Sequence, residues 1–79
     1  MNSEQVEHLI RHEFDDAQVY VEGAGANYSV TVVSDSFEGM RPVQKQQAVY
    51  RALQESISSG AIHAVNIRTF TVAQWESSA

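Results

Sequence analysis

Residues 58 to 71 read SSGAIHAVNIRTFT, and the change of pattern inside this stretch sets the reading of the whole chain. Ser58, Ser59 and Gly60 end a helix, because a glycine just past the last helical residue closes it at no steric cost. From His63 onward the residues alternate. Val65 and Ile67 face one way and Asn66 and Arg68 the other, the period of a half-buried strand. A helix therefore runs into a strand here, with a histidine at the strand's mouth.

Upstream, Pro42 suits the first position of a helix, where its missing N–H costs nothing. The helix is expected from about Pro42 to Ser58, with Val43, Gln46, Tyr50, Leu53 and Ile57 as its stripe, flanked by Val49. Before it, SDSFEGM (34–40) reads as a loop. QVYVEG (18–23) and NYSVTVV (27–33) both alternate, and EGAGAN (22–27) joins them through two glycines that tolerate positive φ. This predicts an antiparallel hairpin with a slightly long turn.

At the N-terminus, Asn2 or Ser3 caps a first helix whose Val6, Leu9, Ile10 and Phe14 share a face. Asp15 and Asp16 end it, since acids suit a helix C-terminus poorly. At the other end, Thr71 and Gln74 have capping-box spacing, so a short last helix follows with Trp75 over the core edge. The expected fold is α+β: one domain over residues 1–79, a small three-stranded sheet covered by helices, in the order α-β-β-α-β-α.

Composition narrows function mainly by exclusion. The 79 residues are 43% hydrophobic and 19% charged, an ordinary globular balance that supports one core but no deep cavity. No apolar run approaches the ~18 residues of a membrane span. The first residues lack the basic-then-apolar layout of a signal peptide, so the cytoplasm is the expected address. Without cysteine there is no disulfide and no thiolate ligand or nucleophile. A net charge of −5 opposes non-specific binding to nucleic acid.

Few residues invite chemistry. His8 and His12 lie four apart, a chelating spacing, but on a polar helix face that ordinary solvated residues also explain. The pair G-x-G in GAGAN lacks the third glycine and the following helix of a dinucleotide site, so it reads as a turn. No hydrolase motif is present, which makes an enzyme the least favoured class. Arg41, Lys45 and Arg68 could touch nucleic-acid phosphates, although three bases make a thin footprint.

FEGMRPVQKQQAVYRAL (37–53), IHAVNIRTFT (62–71) and the QW that follows resemble the BolA family. The shared elements are F-x-G-M, a helix with V-x-x-Q-x-x-V-Y-x-x-L, an I/V-H-A strand entry, a K/R-T-x-T element and a late tryptophan. The similarity spans essentially the whole chain, and the acid-stress branch of the family fits best.

That resemblance implies a class II KH-like fold and a non-enzymatic adaptor. Its partner would be a monothiol glutaredoxin of the CGFS type, with which it shares a [2Fe–2S] cluster; the isolated chain would bind none and would be a monomer or weak homodimer. His63 matches the family's cluster ligand. A second ligand, usually histidine or cysteine, comes from the loop between the first two strands. Here that position falls on Asn27, a poor ligand for iron, and residues 22–36 contain neither histidine nor cysteine. A complex held by His63 with an unusual or solvent second ligand, and a complex without a cluster, both stay open.

Imidazole in place of thiolate raises a cluster's potential, and protonation removes the ligating lone pair. Both suit a carrier or acid sensor. The competing reading is a DNA-binding transcriptional regulator. Against it, no G-x-x-G clamp occurs, and Lys45-Gln46-Gln47 stands where the DNA-associated branch has a basic triplet.

Overall fold

Asn2 opens the first helix, α1 (Ser3–Glu13), through a reciprocal cap. The Gln5 backbone N–H donates to Asn2 Oδ1, and the Asn2 N–H donates to Gln5 Oε1, both at 2.9 Å. Val6, Ile10 and Phe14 are buried by their helical spacing, while His8 and His12 face solvent as expected. The computed structural model describes residues 1–78.

Two strands follow, β1 (Gln18–Ala24) and β2 (Asn27–Val33), paired antiparallel with Ala24 opposite Asn27. The turn is therefore two residues, Gly25 and Ala26, and shorter than the sequence suggested. Gly25 has φ +67 and Ala26 does not share the positive sign, the pattern of a type II′ hairpin whose twist matches the strands. Gly23, the other glycine of EGAGAN, belongs to the strand. At φ +130, a Cβ on it would sit 2.2 Å from the Asn27 carbonyl oxygen.

The stretch read as a loop holds a short 3₁₀ helix (Asp35–Phe37) capped by Ser34 and carrying the fully buried Phe37 inward. Ser34 is itself buried, and its hydroxyl donates to the Asp16 carboxylate at 3.0 Å. Pro42 begins α2 (Pro42–Ala52) as predicted, but the helix does not continue unbroken to Ser58. At Leu53 the backbone takes φ −106, ψ 2 and its N–H donates to Tyr50 at 3.0 Å, a tightened turn before α3 (Gln54–Ser58).

The expected stripe also needs correction. Val49 and Leu53 are fully buried, with Ala48 and Ile57 packed beside them, whereas Val43 and Tyr50 are 64% and 46% exposed. On a 100° helical wheel, Val49 and Leu53 are neighbours, and Val43 with Tyr50 lie well round from them.

Gly60, at φ +84, terminates α3 and the chain enters β3 (Ala64–Phe70). β3 runs parallel to β2, giving the order β1-β2-β3, and the α2–α3 segment is the crossover between the parallel pair. Cross-strand partners share a face. Val19, Val32 and Thr69 and then Val21, Val30 and Ile67 form the core side, against α1 and α2. Tyr20, Thr31 and Arg68 and then Glu22, Ser29 and Asn66 form the opposite side.

The last helix, α4 (Val72–Ser78), starts on the predicted box: Thr71 N–H to Gln74 Oε1 at 2.9 Å and Gln74 N–H to Thr71 Oγ1 at 3.2 Å. Its Trp75 stacks on Tyr20 (centroids 5.4 Å apart, planes 24°) and tilts against Phe70 at 5.3 Å. The helices thus cover one face of the sheet fully and the other only at the Phe70 end. No helix among the described residues is long and apolar enough to cross a membrane.

Candidate functional site

His63 lies one residue before β3, and its position is set by the hairpin. The His63 N–H donates to the Ala26 carbonyl at 2.7 Å and the Ala64 N–H reaches the same oxygen at 3.2 Å. Ala64 pairs with Asn27 across the parallel ladder. Two segments far apart in sequence, the β1–β2 turn and the entry to β3, therefore meet at one corner. The loop entering it from α3 is held by the Ile62 N–H to the Ser56 carbonyl at 3.0 Å, with the Ile62 side chain buried beneath.

The corner is braced from below. Tyr28 is buried, and its hydroxyl lies 2.8 Å from the Gly25 carbonyl and 2.6 Å from that of Met1. The turn and the N-terminus are thus tied together by one side chain. The backbone of the corner is fixed while the His63 side chain stays exposed.

The two sequence-predicted positions meet without sharing a pocket. Asn27 lines a shallow depression on the open sheet face with Glu22, Ser29, Ala64 and Asn66. The His63 ring leans toward the helix side, its Nε2 3.9 Å from where a Cβ on Gly60 would stand. Among the described residues, no group of three or more histidine, cysteine, aspartate or glutamate side chains converges on one point. The chain offers one exposed imidazole and a neighbouring carboxamide. A metal centre at this corner would find one imidazole ligand on this chain, His63, and no second ligating side chain converging with it among the described residues.

The three basic residues are arranged differently. Arg41 precedes α2, where its N–H donates to Gln44 Oε1 at 2.8 Å. Lys45 lines a depression with Pro42, Thr69 and Phe70. Arg68 lies on the open sheet face with its guanidinium 5.8 Å from the Phe70 ring centre. They gather around the Phe70 end of β3, while His63 sits beyond its other end, about 20 Å of strand away at the usual rise per residue.

Two contributors escaped the sequence reading. The Ala26 carbonyl anchors His63 and Ala64, and a backbone acceptor leaves no signature in residue type. Gln46, read as part of the buried stripe, instead donates through Nε2 to the Ile67 carbonyl at 2.8 Å. Its signal was slight: a glutamine among apolar stripe positions can reach a strand carbonyl from the stripe's edge, and the residue stays exposed.

A BolA-like protein family model matches residues 4–74. The chain belongs to the BolA family. It is 45% identical over 75 residues to an uncharacterised protein of the rpoN-murA intergenic region of Acinetobacter guillouiae, covering 95% of this chain and 90% of that one. To the acid stress protein IbaG of Escherichia coli K12 it is 36% identical over 75 residues, 95% of this chain and 89% of the relative. A BolA protein homologue from Coxiella burnetii has the same fold, with a TM-score of 0.83 at 26% identity over 96% of this chain and 97% of that one. The BolA motif residues fall in the corner and on α2: His63 and Ala64 at the strand entry, Val43, Gln46, Val49, Tyr50 and Leu53 along the helix.

Proposed function

We propose that this BolA-family chain is a non-enzymatic cytoplasmic adaptor. It docks a monothiol glutaredoxin of the CGFS type and contributes His63 to a [2Fe–2S] cluster held between the two proteins, in iron–sulfur trafficking and acid-stress response. The observation that carries the reading is the corner itself. An exposed imidazole stands beside the hairpin turn, on a backbone fixed by the Ala26 carbonyl. The acid-stress role draws on the name of the Escherichia coli relative.

The cluster would supply redox and transfer chemistry. This chain's own part is to hold the imidazole at a set position. Asn27 occupies the place of the second ligand, and its neutral amide is a weak donor to iron. We therefore assign the ligation on this side to His63 alone, with Asn27 bordering the contact. Protonating the imidazole removes its lone pair, which couples cluster retention to acidity.

The test is anaerobic reconstitution with a CGFS glutaredoxin, iron and sulfide, followed by visible absorption and circular dichroism. A spectrum distinct from that of the glutaredoxin alone, reverting in His63→Ala, supports the assignment. An unchanged spectrum in the variant removes His63 as a ligand. The variant should fold normally, because an exposed side chain at this position contributes within about 0.5 kcal/mol.

A DNA-binding regulator is the second reading, favoured by the grouping of Arg41, Lys45 and Arg68 about one end of β3. It requires duplex affinity that falls steeply with salt, and a flat response argues against phosphate contacts.

A further inference from the structure

Helix α2 is unlike the rest of the molecule in both charge and exposure. With its preceding residue it holds Arg41, Lys45 and Arg51, three of the five cationic residues, and none of the ten acidic ones. The nearest acids in sequence, Glu38 and Glu55, lie off its two ends. On its outward side, Val43 and Tyr50 stand two turns apart at 64% and 46% exposure, with Met40 at 36% beside the helix start. They are among the few large hydrophobic residues this chain exposes.

On the helical wheel Tyr50 and Val43 are neighbours, with Gln47 next round from Val43 and Arg51 and Gln44 beyond it. An exposed aromatic and aliphatic centre with an arginine rim is the composition of a protein-binding patch, since tyrosine and arginine concentrate in interface centres. Burying Val43 and Tyr50 against α1 or the sheet would have used the faces now occupied by Val49 and Leu53.

We infer that the outward face of α2 is a second docking surface, built for a protein segment whose apolar residues are bordered by carboxylates. Charge selects this occupant. Lys45 lies on the other side of the helix, against Thr69 and Phe70, but a second copy meeting α2 against α2 would still oppose Arg41 and Arg51 with their own kind, which costs free energy in a desolvated contact. Nucleic acid would meet the cations but would leave Val43, Tyr50 and Met40 without an apolar counterpart. A segment with an apolar centre and an acidic border meets both.

The surface begins at the end of the molecule remote from His63 and needs no cluster. One chain could therefore hold a partner at each place.

The experiment uses the full chain, isotopically labelled, and three probes: an amphipathic helical peptide of leucine, phenylalanine and glutamate; the same peptide with lysine for glutamate; and a short DNA duplex. Amide shifts are followed by NMR, with sedimentation as a check on self-association. The inference expects the acidic peptide to shift the amides of Val43, Gln47, Tyr50 and Arg51 and to leave those of Ala26 and His63 in place. Affinity should fall at least tenfold in the double variant Val43→Ser, Tyr50→Ser and in Arg51→Glu, each still folded by its amide spectrum. Equal binding of the lysine peptide, shifts centred elsewhere, stronger binding of the duplex on α2, or self-association through this face would each overturn it.

Discussion

Gln46 Nε2 donates to the Ile67 carbonyl at 2.8 Å, tying α2 to the edge strand of the sheet. A glutamine thereby does what a core side chain does elsewhere, holding a helix at a fixed height over a strand. It also occupies a carbonyl on the strand that has no further neighbour, where an unpaired row invites another chain.

Replacing Gln46 by alanine should cost about 1 kcal/mol, the usual net value of such a bond. In a domain of this size that lowers the melting temperature by roughly 4–8 °C. Gln47→Ala, one position along on the exposed face, should leave melting nearly unchanged. Thermal unfolding of the two variants checks the contrast, and equal losses would remove the special role of Gln46.

The two glycines of the hairpin should behave differently. Gly25→Ala meets open space and pays only for its positive φ, about 1 kcal/mol. Gly23→Ala drives a Cβ into the Asn27 carbonyl and adds a clash to an unfavourable φ, so its loss should exceed that of Gly25→Ala by about 1 kcal/mol or more. Urea unfolding measures both. The amide signals of Asn27 and His63 should move in the Gly23 variant, because the clash is with the turn that anchors the corner.

Leu53 and Tyr50 test which side of α2 is inside. Leu53→Ala opens a cavity in the core and should cost about 2–5 kcal/mol. Tyr50→Ala should stay within about 0.5 kcal/mol. Comparable destabilisation by the two would mean that Tyr50 packs inward in solution.

Trp75 is the only tryptophan, so its fluorescence reports directly on the docking of α4. Tyr20→Ala removes the stacked ring at 5.4 Å. It should shift the emission to the red and cost about 1 kcal/mol, the extra worth of an aromatic pair together with lost contact area. Emission unchanged from the parent would show that α4 is held by Phe70 and its cap alone.

The strands were legible because their signal is local. Asn27–Val33 alternates cleanly, and the Thr71–Gln74 capping box places a polar side chain three residues from its partner, whereas at the first helix the Asn2 cap was read but its Gln5 partner was not. Pro42 and Gly60 likewise mark helix ends through backbone conformation intrinsic to those residues. What escaped was decided across the fold. The break at Leu53 and the outward turn of Val43 and Tyr50 follow from packing against α1 and β3, and a wide apolar stripe does not say which of its edges is buried. The turn was misjudged because Gly23 signalled flexibility when its role is close approach to the Asn27 carbonyl. At the candidate site, His63 was visible as a histidine at a strand entry and through the BolA motif. Its seat on the Ala26 carbonyl was not, since any residue offers that oxygen.

The parallel pairing of β2 with β3 has a consequence for when the His63 corner comes into being. The β1–β2 hairpin needs only neighbouring residues and can form early. Asn27 cannot meet Ala64 until the whole crossover has been laid down between them. A nascent or partly unraveled chain thus displays the hairpin with no imidazole beside it. Any partner that reads this corner reads, in the same contact, whether folding has been completed, and so engages finished copies without a separate inspection step.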